Sequence, residues 1–379
     1  MRAGRGGSFV YMKFDIIAGH GEHGGMKKRI IILGATGSIG SGAVDVVRTH
    51  PGDFEVVAVA SRRSRERCEA LAAMLGASAY VGEDAAFRAV AENDADICLV
   101  ATVGVSGLRP TMLAIEKGMD IALATKEVLV VAGELVMRLA KERGVRILPV
   151  DSEHSAVFQC LQGASAGSLA KLTLTASGGP FLDGPDDLSS VTPEQALRHP
   201  RWKMGPKVTV DSATMMNKGF EVVEARWLFD VPVEDIEVVV HPESVVHSLV
   251  TFADGSTLAQ MSPPDMRVPI QYALSWPDRL PAERAGLDLA AFGALTFRRL
   301  DERRFPCLGL VREAYAAGGC AMAVLAAADE LAVGRFLRGE IGFTDIARTV
   351  ERGLRHMPAF PCGSIDAVMA ATEWTLRSL

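Results

Sequence analysis

The fold is decided by Arg29-Ile-Ile-Ile-Leu33, a β-rich apolar run that leads directly into Gly34-Ala-Thr-Gly37-Ser-Ile-Gly40. Residues 44–48 continue with helical character, and a second β-rich run follows at Phe54–Ala60. Glycines between a strand and a helix permit a tight turn and let backbone N–H groups approach a pyrophosphate at the helix N-terminus. The stretch therefore predicts a dinucleotide site. Its GxxGxxG spacing differs from the more specific GxGxxG, so a plain glycine-rich turn is the alternative.

The residues after the second β-rich run indicate which dinucleotide would bind. A site for NAD places an Asp or Glu there to bind the ribose 2′-hydroxyl. This chain instead has Arg62, Arg63 and Ser64 in the segment Ser61-Arg-Arg-Ser-Arg65. Guanidinium groups suit the 2′-phosphate of NADP because they form forked, charged hydrogen bonds to phosphate. We expect NADP(H), with a solvated basic turn as the alternative.

Further along the chain, apolar runs at 97–101, 121–124 and 146–150 alternate with helical stretches, which predicts βαβ units and a parallel sheet. The middle region has strand-like runs at 171–176, 236–240, 248–252 and 257–260, and Ala253-Asp-Gly-Ser256 between the last two predicts a hairpin. The Gly/Pro/Ser-rich segment 177–206 is too long to be a plain connector, so we expect it to be a lid loop or disordered. Residues beyond about 300 have helical spacing, notably 321–337 and 343–354.

The predicted fold class is α/β: an N-terminal Rossmann-like NADP-binding domain, a central α/β catalytic domain with a mobile lid loop, and a small C-terminal helical domain. The predicted divisions are 1–26 (a disordered extension, an upstream start or a cloning remnant), 27–150 (NADPH binding), 151–285 (catalysis and dimerisation), 286–310 (linker) and 311–379 (helical).

Composition excludes several classes of protein. The 379 residues carry a net charge of −6, without the basic balance of nucleic-acid-binding proteins. No run approaches the roughly 20 apolar residues that a membrane helix needs. The six cysteines are scattered without a CxxC pair, which favours reduced thiols over disulfides or a zinc ribbon, and hence a cytoplasmic protein.

Acidic residues follow the last predicted strand of the parallel sheet. If the extended geometry persists, Asp151 and Glu153 project to one face at the carboxyl end of the strand, where open α/β sheets bind ligands. Two such carboxylates outline a site for Mg²⁺ or Mn²⁺. Alternatively, Asp151 caps a helix that starts near Ser155. A third acid is available in the helical stretch 211–224, where Glu221 and Glu224 share a face, unless that face is merely solvated.

Several motifs then occur in an order that resembles the 1-deoxy-D-xylulose 5-phosphate reductoisomerase family of isoprenoid biosynthesis. Besides the glycine loop, they are Ala124-Thr-Lys-Glu127, Pro149-Val-Asp-Ser-Glu-His154, Ser177-Gly-Gly-Pro180, His199-Pro-Arg-Trp-Lys-Met-Gly205 and the block from Asp211 to Glu221. The resemblance runs from Lys28 to the C-terminus, and the Asp211–Glu221 block is its most specific part. It implies a V-shaped, three-domain homodimer that uses NADPH and Mg²⁺, Mn²⁺ or Co²⁺. The implied reaction rearranges and reduces a phosphorylated keto-sugar to 2-C-methyl-D-erythritol 4-phosphate.

The resemblance also implies roles for individual residues. Cofactor positions are Thr36, Gly37, Ser38, Ile39, Glu127 and Gly205. Metal ligands are Asp151, Glu153 and Glu221, which are catalytic together with Lys126. Substrate contacts are Lys126, Ser152, Glu153, Ser177, His199, Ser212, Asn217, Lys218 and Glu221, with Trp202 as the lid residue that covers the substrate. Two positions depart from the family pattern: Thr125 stands where Asn is frequent, and Arg62-Arg63-Ser64 where Gly-Lys-Asn is common, although the charge is kept.

These residue types suit the implied chemistry. A chelated divalent cation would act as a Lewis acid on the carbonyl and hydroxyl oxygens of the substrate. Lys126 would stabilise the developing oxyanion or relay a proton. Ser177, His199, Ser212, Asn217 and Lys218 would form a phosphate cradle, and Trp202 would exclude water.

Two rival functions remain at this point. An ordinary NADP-dependent dehydrogenase of the aspartate-semialdehyde type would need a cysteine nucleophile, for which Cys160 is the nearest candidate. A non-catalytic NADP-sensing module would have no need for the three carboxylates and the Trp202 loop together.

Overall fold

A computed structural model describes residues 26–165, 167–184, 186–282, 286–361 and 363–379. The predicted extension lies outside these residues apart from Met26, and so does Cys362. The strands are β1 (Lys28–Leu33), β2 (Phe54–Ser61), β3 (Ser78–Val81), β4 (Ile97–Val100), β5 (Asp120–Leu123), β6 (Ile147–Pro149), β7 (Leu169–Ala176), β8 (Ile236–Val240), β9 (Val246–Phe252), β10 (Thr257–Met261) and β11 (Arg298–Arg299).

Helices cover both faces of the sheets and form the C-terminal part of the chain. They are α1 (Ser38–Thr49), α2 (Arg65–Leu75), α3 (Ala85–Ala91), α4 (Leu108–Glu116), α5 (Glu127–Arg143), α6 (Ser152–Cys160), α7 (Pro193–Ala196), α8 (Pro206–Thr214), α9 (Met216–Phe229), α10 (Arg267–Ser275), α11 (Leu289–Phe292), α12 (Cys307–Ala317), α13 (Ala321–Leu337), α14 (Asp345–His356) and α15 (Ile365–Ser378). Among the described residues, no helix is both long enough and apolar enough to span a bilayer.

The first sheet confirms the predicted Rossmann-like region. Its strand order is β3-β2-β1-β4-β5-β6, and every neighbouring pair is parallel. The central strands are apolar throughout, and Ile30 to Leu33 are fully buried because helices cover both faces. The strand order reverses between β1 and β4, which places a crevice at their carboxyl ends.

The second sheet is mixed, with the order β10-β9-β7-β8-β11. The predicted hairpin is confirmed: β9 and β10 pair antiparallel across residues 253–256. Strand β7 pairs parallel with β8 and antiparallel with β9. Helices α6 and α9 pack near this sheet and carry the acidic residues of the sequence motifs towards the first sheet.

The C-terminal part is helical, as predicted, and it contacts the middle of the chain. Helix α13 has the predicted bounds and packs against α5, α8, α12, α14 and α15. Twelve of its seventeen residues are buried, since neighbouring helices surround it on several sides. Helix α13 therefore lies directly behind the helices that carry the candidate site residues.

Candidate active site

The glycine loop between β1 and α1 has little room for side chains. Gly34 has φ +80°, and a Cβ there would lie 2.1 Å from the carbonyl oxygen of Ala101. A Cβ on Gly40 would lie 2.3 Å from the carbonyl oxygen of Gly34. Both positions are thus restricted to glycine: Gly34 begins the turn, and Gly40 lies in the first turn of α1, whose N-cap is Gly37. This is the geometry that a pyrophosphate needs.

The other predicted cofactor residues surround this loop or follow β2. The Thr36 and Ser61 hydroxyls lie 2.8 Å apart. The exposed Arg62 pairs with Glu83, with Nε 2.7 Å from Oε2. By contrast, Thr125 is 3% exposed and donates its hydroxyl hydrogen to the carbonyl oxygen of Thr102 at 2.8 Å. Its side chain therefore connects the loop after β5 to the loop after β4. Ser38 and Ile39 open α1, Arg63 and Ser64 are exposed beside Arg62, and Gly205 is the N-cap of α8.

Three carboxylates meet at the end of the first sheet. Oxygen atoms of Asp151, Glu153 and Glu221 lie within 4.8 Å of one another. The route by which they meet differs from the strand prediction: β6 ends at Pro149 and α6 begins at Ser152, so Asp151 and Glu153 do not share a strand face. Asp151 is the N-cap of α6, as in the alternative prediction, and accepts a hydrogen bond from the Glu153 N–H at 3.1 Å. The helix starts earlier than Ser155 because this cap is satisfied.

Two lysines pair with these carboxylates, of which Lys218 is buried and Lys126 is partly buried. Lys126 pairs with Asp151, and its Nζ lies 3.7 Å from Oε1 of Glu221. Lys218 lies 2.9 Å from Oε1 of Glu153 and also pairs with Glu221. Burial and the charge of Glu153 nevertheless raise the pKa of Glu221 to about 8. The two ammonium groups therefore do not fully balance the charge of the three carboxylates. Such a set of oxygen donors fits a hard divalent cation such as Mg²⁺.

A second acidic group shares Asp151, and in it both ring nitrogens of the histidine make hydrogen-bond contacts. It consists of Asp151, His154 and Glu224. The His154 ring lies with Nδ1 3.0 Å from Oδ1 of Asp151 and Nε2 2.9 Å from the carbonyl oxygen of Glu221. Burial lowers the pKa of His154, but Glu224 and Asp151 outweigh it and raise the pKa to about 9. Both ring nitrogens face hydrogen-bond acceptors, so in this arrangement His154 orients Asp151.

Hydrogen bonds and close contacts connect the predicted substrate residues in two sets. In the first, Nε2 of His199 lies 2.9 Å from Oγ of Ser177, and a Cβ on neighbouring Gly179 would lie 3.0 Å from the carbonyl oxygen of Ser212. In the second, the side chains point to the carboxylates. Ser152 donates to Glu153 at 2.6 Å, Asn217 donates to Glu221 at 2.5 Å, and Lys218 pairs with both acids.

The candidate lid residue, Trp202, lies beside two histidines. The Trp202 N–H donates to Nδ1 of His199 at 2.9 Å, and the indole centroid lies 6.2 Å from the ring of His247. His247 is 5% exposed and donates from Nε2 to the carbonyl oxygen of Ser262 at 3.2 Å. Trp202 therefore contacts both His199 and His247.

Comparison with known proteins decides the family. Models described as 1-deoxy-D-xylulose 5-phosphate reductoisomerase match residues 30–79 and 66–133, and those for the C-terminal domains of the same enzyme match 147–229 and 261–378. A reductoisomerase of Symbiobacterium thermophilum is 51% identical over 377 residues, covering 92% of this chain and 97% of that protein. This chain belongs to the 1-deoxy-D-xylulose 5-phosphate reductoisomerase family.

Solved structures of the reductoisomerase family agree. The Zymomonas mobilis enzyme in complex with NADPH is 39% identical with a TM-score of 0.85, covering 93% of this chain and 98% of that one. A reductoisomerase in complex with NADPH, fosmidomycin and magnesium is 36% identical with a TM-score of 0.86, covering 92% and 97%. The predicted family, fold class and enzyme class, an NADP-dependent oxidoreductase, are therefore confirmed.

The rival dehydrogenase of the semialdehyde type is wrong for this reductoisomerase. Cys160, its candidate nucleophile, ends α6 and is only partly exposed. Burial raises the pKa of its thiol to about 11, so the nucleophilic thiolate is scarce at neutral pH. The sensing module is likewise excluded by membership of an enzyme family.

Sequence reasoning assigned no role to two buried histidines of the site. His154 follows Asp151 by three residues, a spacing that places both on one helical face. This spacing alone could have predicted that His154 contacts Asp151. His247 lies on β9, far from the other site residues in sequence, and only the antiparallel pairing of β9 brings it under Trp202. The solvated-face alternative for Glu221 and Glu224 is also wrong, since they are 1% and 0% exposed.

Proposed function

We propose that the chain converts 1-deoxy-D-xylulose 5-phosphate to 2-C-methyl-D-erythritol 4-phosphate with NADPH, at the site formed by Lys126, Asp151, Glu153 and Glu221. The observation that carries this proposal is the convergence of three carboxylates, from α6 and α9, with the lysine that precedes α5. Family relatives with bound NADPH and magnesium support the choice of cofactors.

Asp151, Glu153 and Glu221 would hold the divalent cation, with Mg²⁺, Mn²⁺ and Co²⁺ as candidates. When bound, the cation would supply Lewis-acid charge to the oxygens of the substrate. The protein keeps the carboxylates in place through Asp151, which is fixed both as a helix cap and by His154. Glu221 is held by Asn217. The ligands are therefore preorganised by hydrogen bonds outside the coordination sphere.

Lys126 acts as a charged hydrogen-bond donor rather than as a base. Burial lowers its pKa, but Asp151, Glu221 and Glu224 outweigh burial and raise the pKa well above the usual value. An ammonium that stays protonated stabilises negative charge developing on a substrate oxygen. Of the two roles predicted for Lys126, this favours the oxyanion role over proton relay.

Ser177, His199 and Ser212 would bind the substrate phosphate, with Ser152, Asn217 and Lys218 nearer the carboxylates. Burial lowers the pKa of His199 to about 4, so its ring is neutral at neutral pH. Because Nδ1 accepts backbone hydrogen bonds, Nε2 carries the ring proton. Trp202 would cover the bound substrate and limit the access of water.

NADPH would lie along the glycine loop. Thr36, Gly37, Ser38 and Ile39 would contact its pyrophosphate, and Arg62, Arg63 and Ser64 its 2′-phosphate. Glu127, Gly205 and Thr125 complete the proposed set, and the buried hydroxyl of Thr125 makes an indirect, loop-positioning contribution the better assignment.

The remaining parts of the proposal concern organisation. We assign 27–150 to cofactor binding, 151–285 to catalysis and dimerisation, 286–310 to a linker and 311–379 to the helical domain. A homodimer is supported by β10, an edge strand of its sheet on which Leu258 is 51% exposed. A cytoplasmic location is supported by the reduced thiols of Cys68, Cys98, Cys160 and Cys307.

The proposal is tested by following NADPH absorbance with the substrate and Mg²⁺, with and without EDTA, and by identifying the product by mass spectrometry and NMR. The expected result is metal-dependent oxidation of NADPH that yields one 2-C-methyl-D-erythritol 4-phosphate for each NADPH. A folded protein that binds NADPH but leaves this substrate unchanged would contradict the proposal.

A further inference from the structure

Lys207, in the first turn of α8, is a partly buried lysine to which the proposed function gives no role. Its Nζ lies 2.5 Å from Oδ2 of Asp211, 2.9 Å from Oδ2 of Asp329 and 3.7 Å from Oε1 of Glu127. It also lies 5.0 Å from the ring centroid of Phe220. One ammonium group thus contacts side chains from α5, α8, α9 and α13.

Three of these four contacts are sequence neighbours of proposed site residues. The neighbouring pairs are Glu127 with Lys126, Asp211 with Ser212, and Phe220 with Glu221. Displacement of any of these contact residues would move a residue of the site. The fourth contact, Asp329, comes from the C-terminal helix α13 and is 0% exposed. It is a direct charged link between that helical region and the site.

The charges show that the cluster depends on Lys207. Burial lowers the pKa of Lys207, but Asp211, Asp329 and Glu127 outweigh it and raise the pKa well above the usual value. Burial and Asp329 raise the pKa of Asp211 well above its usual value. Within the described residues, Oδ1 of Asp211 and Oδ1 of Asp329 have no hydrogen-bond partner. Without the ammonium group, buried carboxylates from three helices would repel one another.

We propose that Lys207 is a positioning residue of the active site, which holds α5, α8 and α13 in register through Glu127, Asp211 and Asp329. The inference rests on the proposed function, because it takes Lys126, Glu127 and Ser212 as site residues. A residue that only stabilises packing would change the melting temperature and leave the kinetics of the folded enzyme intact. A positioning residue changes the binding of NADPH and the turnover at temperatures where the enzyme is fully folded.

The test uses the full chain with Lys207→Met, which keeps an unbranched side chain one atom shorter and removes its charge. The matched control is Lys171→Met, which removes an exposed lysine paired with Glu237 at 2.5 Å on the second sheet. For each protein, NADPH affinity is measured by fluorescence, kcat and KM by NADPH absorbance, and folding by thermal denaturation. We expect Lys207→Met to raise the Kd for NADPH at least five-fold and to lower kcat at least ten-fold, and Lys171→Met to change neither by more than two-fold.

Asp329→Ala is the second variant, and it tests the positioning role of Lys207 if Lys207→Met does not fold. It removes the link to α13 and also relieves repulsion between carboxylates, so we expect the fold to persist. The expected result is a three-fold or greater fall in kcat with a raised Kd for NADPH. Folded variants whose Kd and kcat both stay within two-fold of the unchanged protein would overturn the inference. If the unchanged protein does not turn over the keto-sugar, the proposed function fails, while the NADPH affinities still decide the role of Lys207.

Discussion

The two ring nitrogens of His199 make different contacts, and substitutions can separate them. Nδ1 accepts hydrogen bonds from the N–H groups of Arg201 at 3.2 Å and Trp202 at 2.9 Å, which shapes the lid turn. Nε2 donates to Oγ of Ser177 at 2.9 Å. The side-chain oxygen of Asn stands at the position of Nδ1, and the side-chain amide of Gln reaches that of Nε2. His199→Asn therefore keeps the lid turn, His199→Gln keeps the Ser177 contact, and His199→Ala keeps neither.

The magnitudes follow from the number of hydrogen bonds lost. A net value of about 1 kcal/mol for each bond corresponds to roughly five-fold in an equilibrium constant. His199→Asn loses one bond, so we expect kcat/KM for the keto-sugar to fall about five-fold. His199→Gln loses two bonds, for a loss of about 30-fold, and His199→Ala loses three, for about 150-fold. The order of the variants matters more than the absolute values, because the bonds are partly exposed.

The assay is steady-state oxidation of NADPH at saturating Mg²⁺ and NADPH, with variation of the keto-sugar. His356→Asn is the matched control, because His356 is exposed on α14 and, among the described residues, its ring makes a hydrogen bond to the carbonyl oxygen of Arg352 in its own helix. The control should retain full activity. If His199→Gln proves as active as His199→Asn, or more so, the assignment of Nδ1 to the lid turn is refuted.

Three further predictions concern pH, packing and the cofactor. The pKa of His199 is about 4 in the folded protein and about 6.5 in the unfolded chain. The unfolded loop therefore binds the proton first, and the ordered lid is destabilised as the pH falls from about 6.5 to 4. We expect KM for the keto-sugar to rise over this pH range, and to rise less in His199→Asn than in the unchanged enzyme. Gly133→Ala should lower the free energy of unfolding by about 1–3 kcal/mol in denaturant titrations, because a Cβ would lie 2.3 Å from Cδ1 of Trp227. Gly309→Ala, in a helix with no atom within 4 Å of the new Cβ, should instead stabilise by up to about 1 kcal/mol. The double variant Arg62→Ala, Arg63→Ala should raise KM for NADPH about ten-fold or more, since charged hydrogen bonds to the 2′-phosphate contribute about 1.5–3 kcal/mol each. KM for NADH, which lacks this phosphate, should stay nearly unchanged. An equal effect on both cofactors would contradict the assignment of these arginines to the 2′-phosphate.

Local signals were sufficient for the elements whose structure is set by nearby residues. The glycine loop is one case, because a Cβ at Gly34 or Gly40 would collide with backbone. The hairpin at residues 253–256 and the bounds of α13 are others. Strand β3 (Ser78–Val81) was not predicted, since its pattern is weaker and packing against neighbouring elements stabilises it; α15 (Ile365–Ser378) lies in the region predicted to be helical, but its bounds were not predicted.

The candidate site was less predictable because its geometry depends on tertiary contacts. The single helix expected over 211–224 is broken at Met215, which has φ +63°, a conformation that its residue type does not signal. That break lets α8 carry Asp211 and Ser212 while α9 turns Glu221 towards α6. Lys207 contacts residues 127, 211 and 329, and two of these lie so far from it in sequence that no local pattern predicts the contacts.

The central claim is that Glu221, rather than Glu224, completes the metal site with Asp151 and Glu153. The most direct test is titration of Mn²⁺, followed by electron paramagnetic resonance, into Glu221→Gln and Glu224→Gln, with NADPH binding as the control for folding. Both glutamates are buried on α9, but Glu224 faces the protonated ring of His154. We expect Glu221→Gln to weaken Mn²⁺ binding ten-fold or more, and Glu224→Gln to weaken it much less. Equal binding by Glu221→Gln and the unchanged protein, or a larger loss in Glu224→Gln, would contradict the assignment of the metal site.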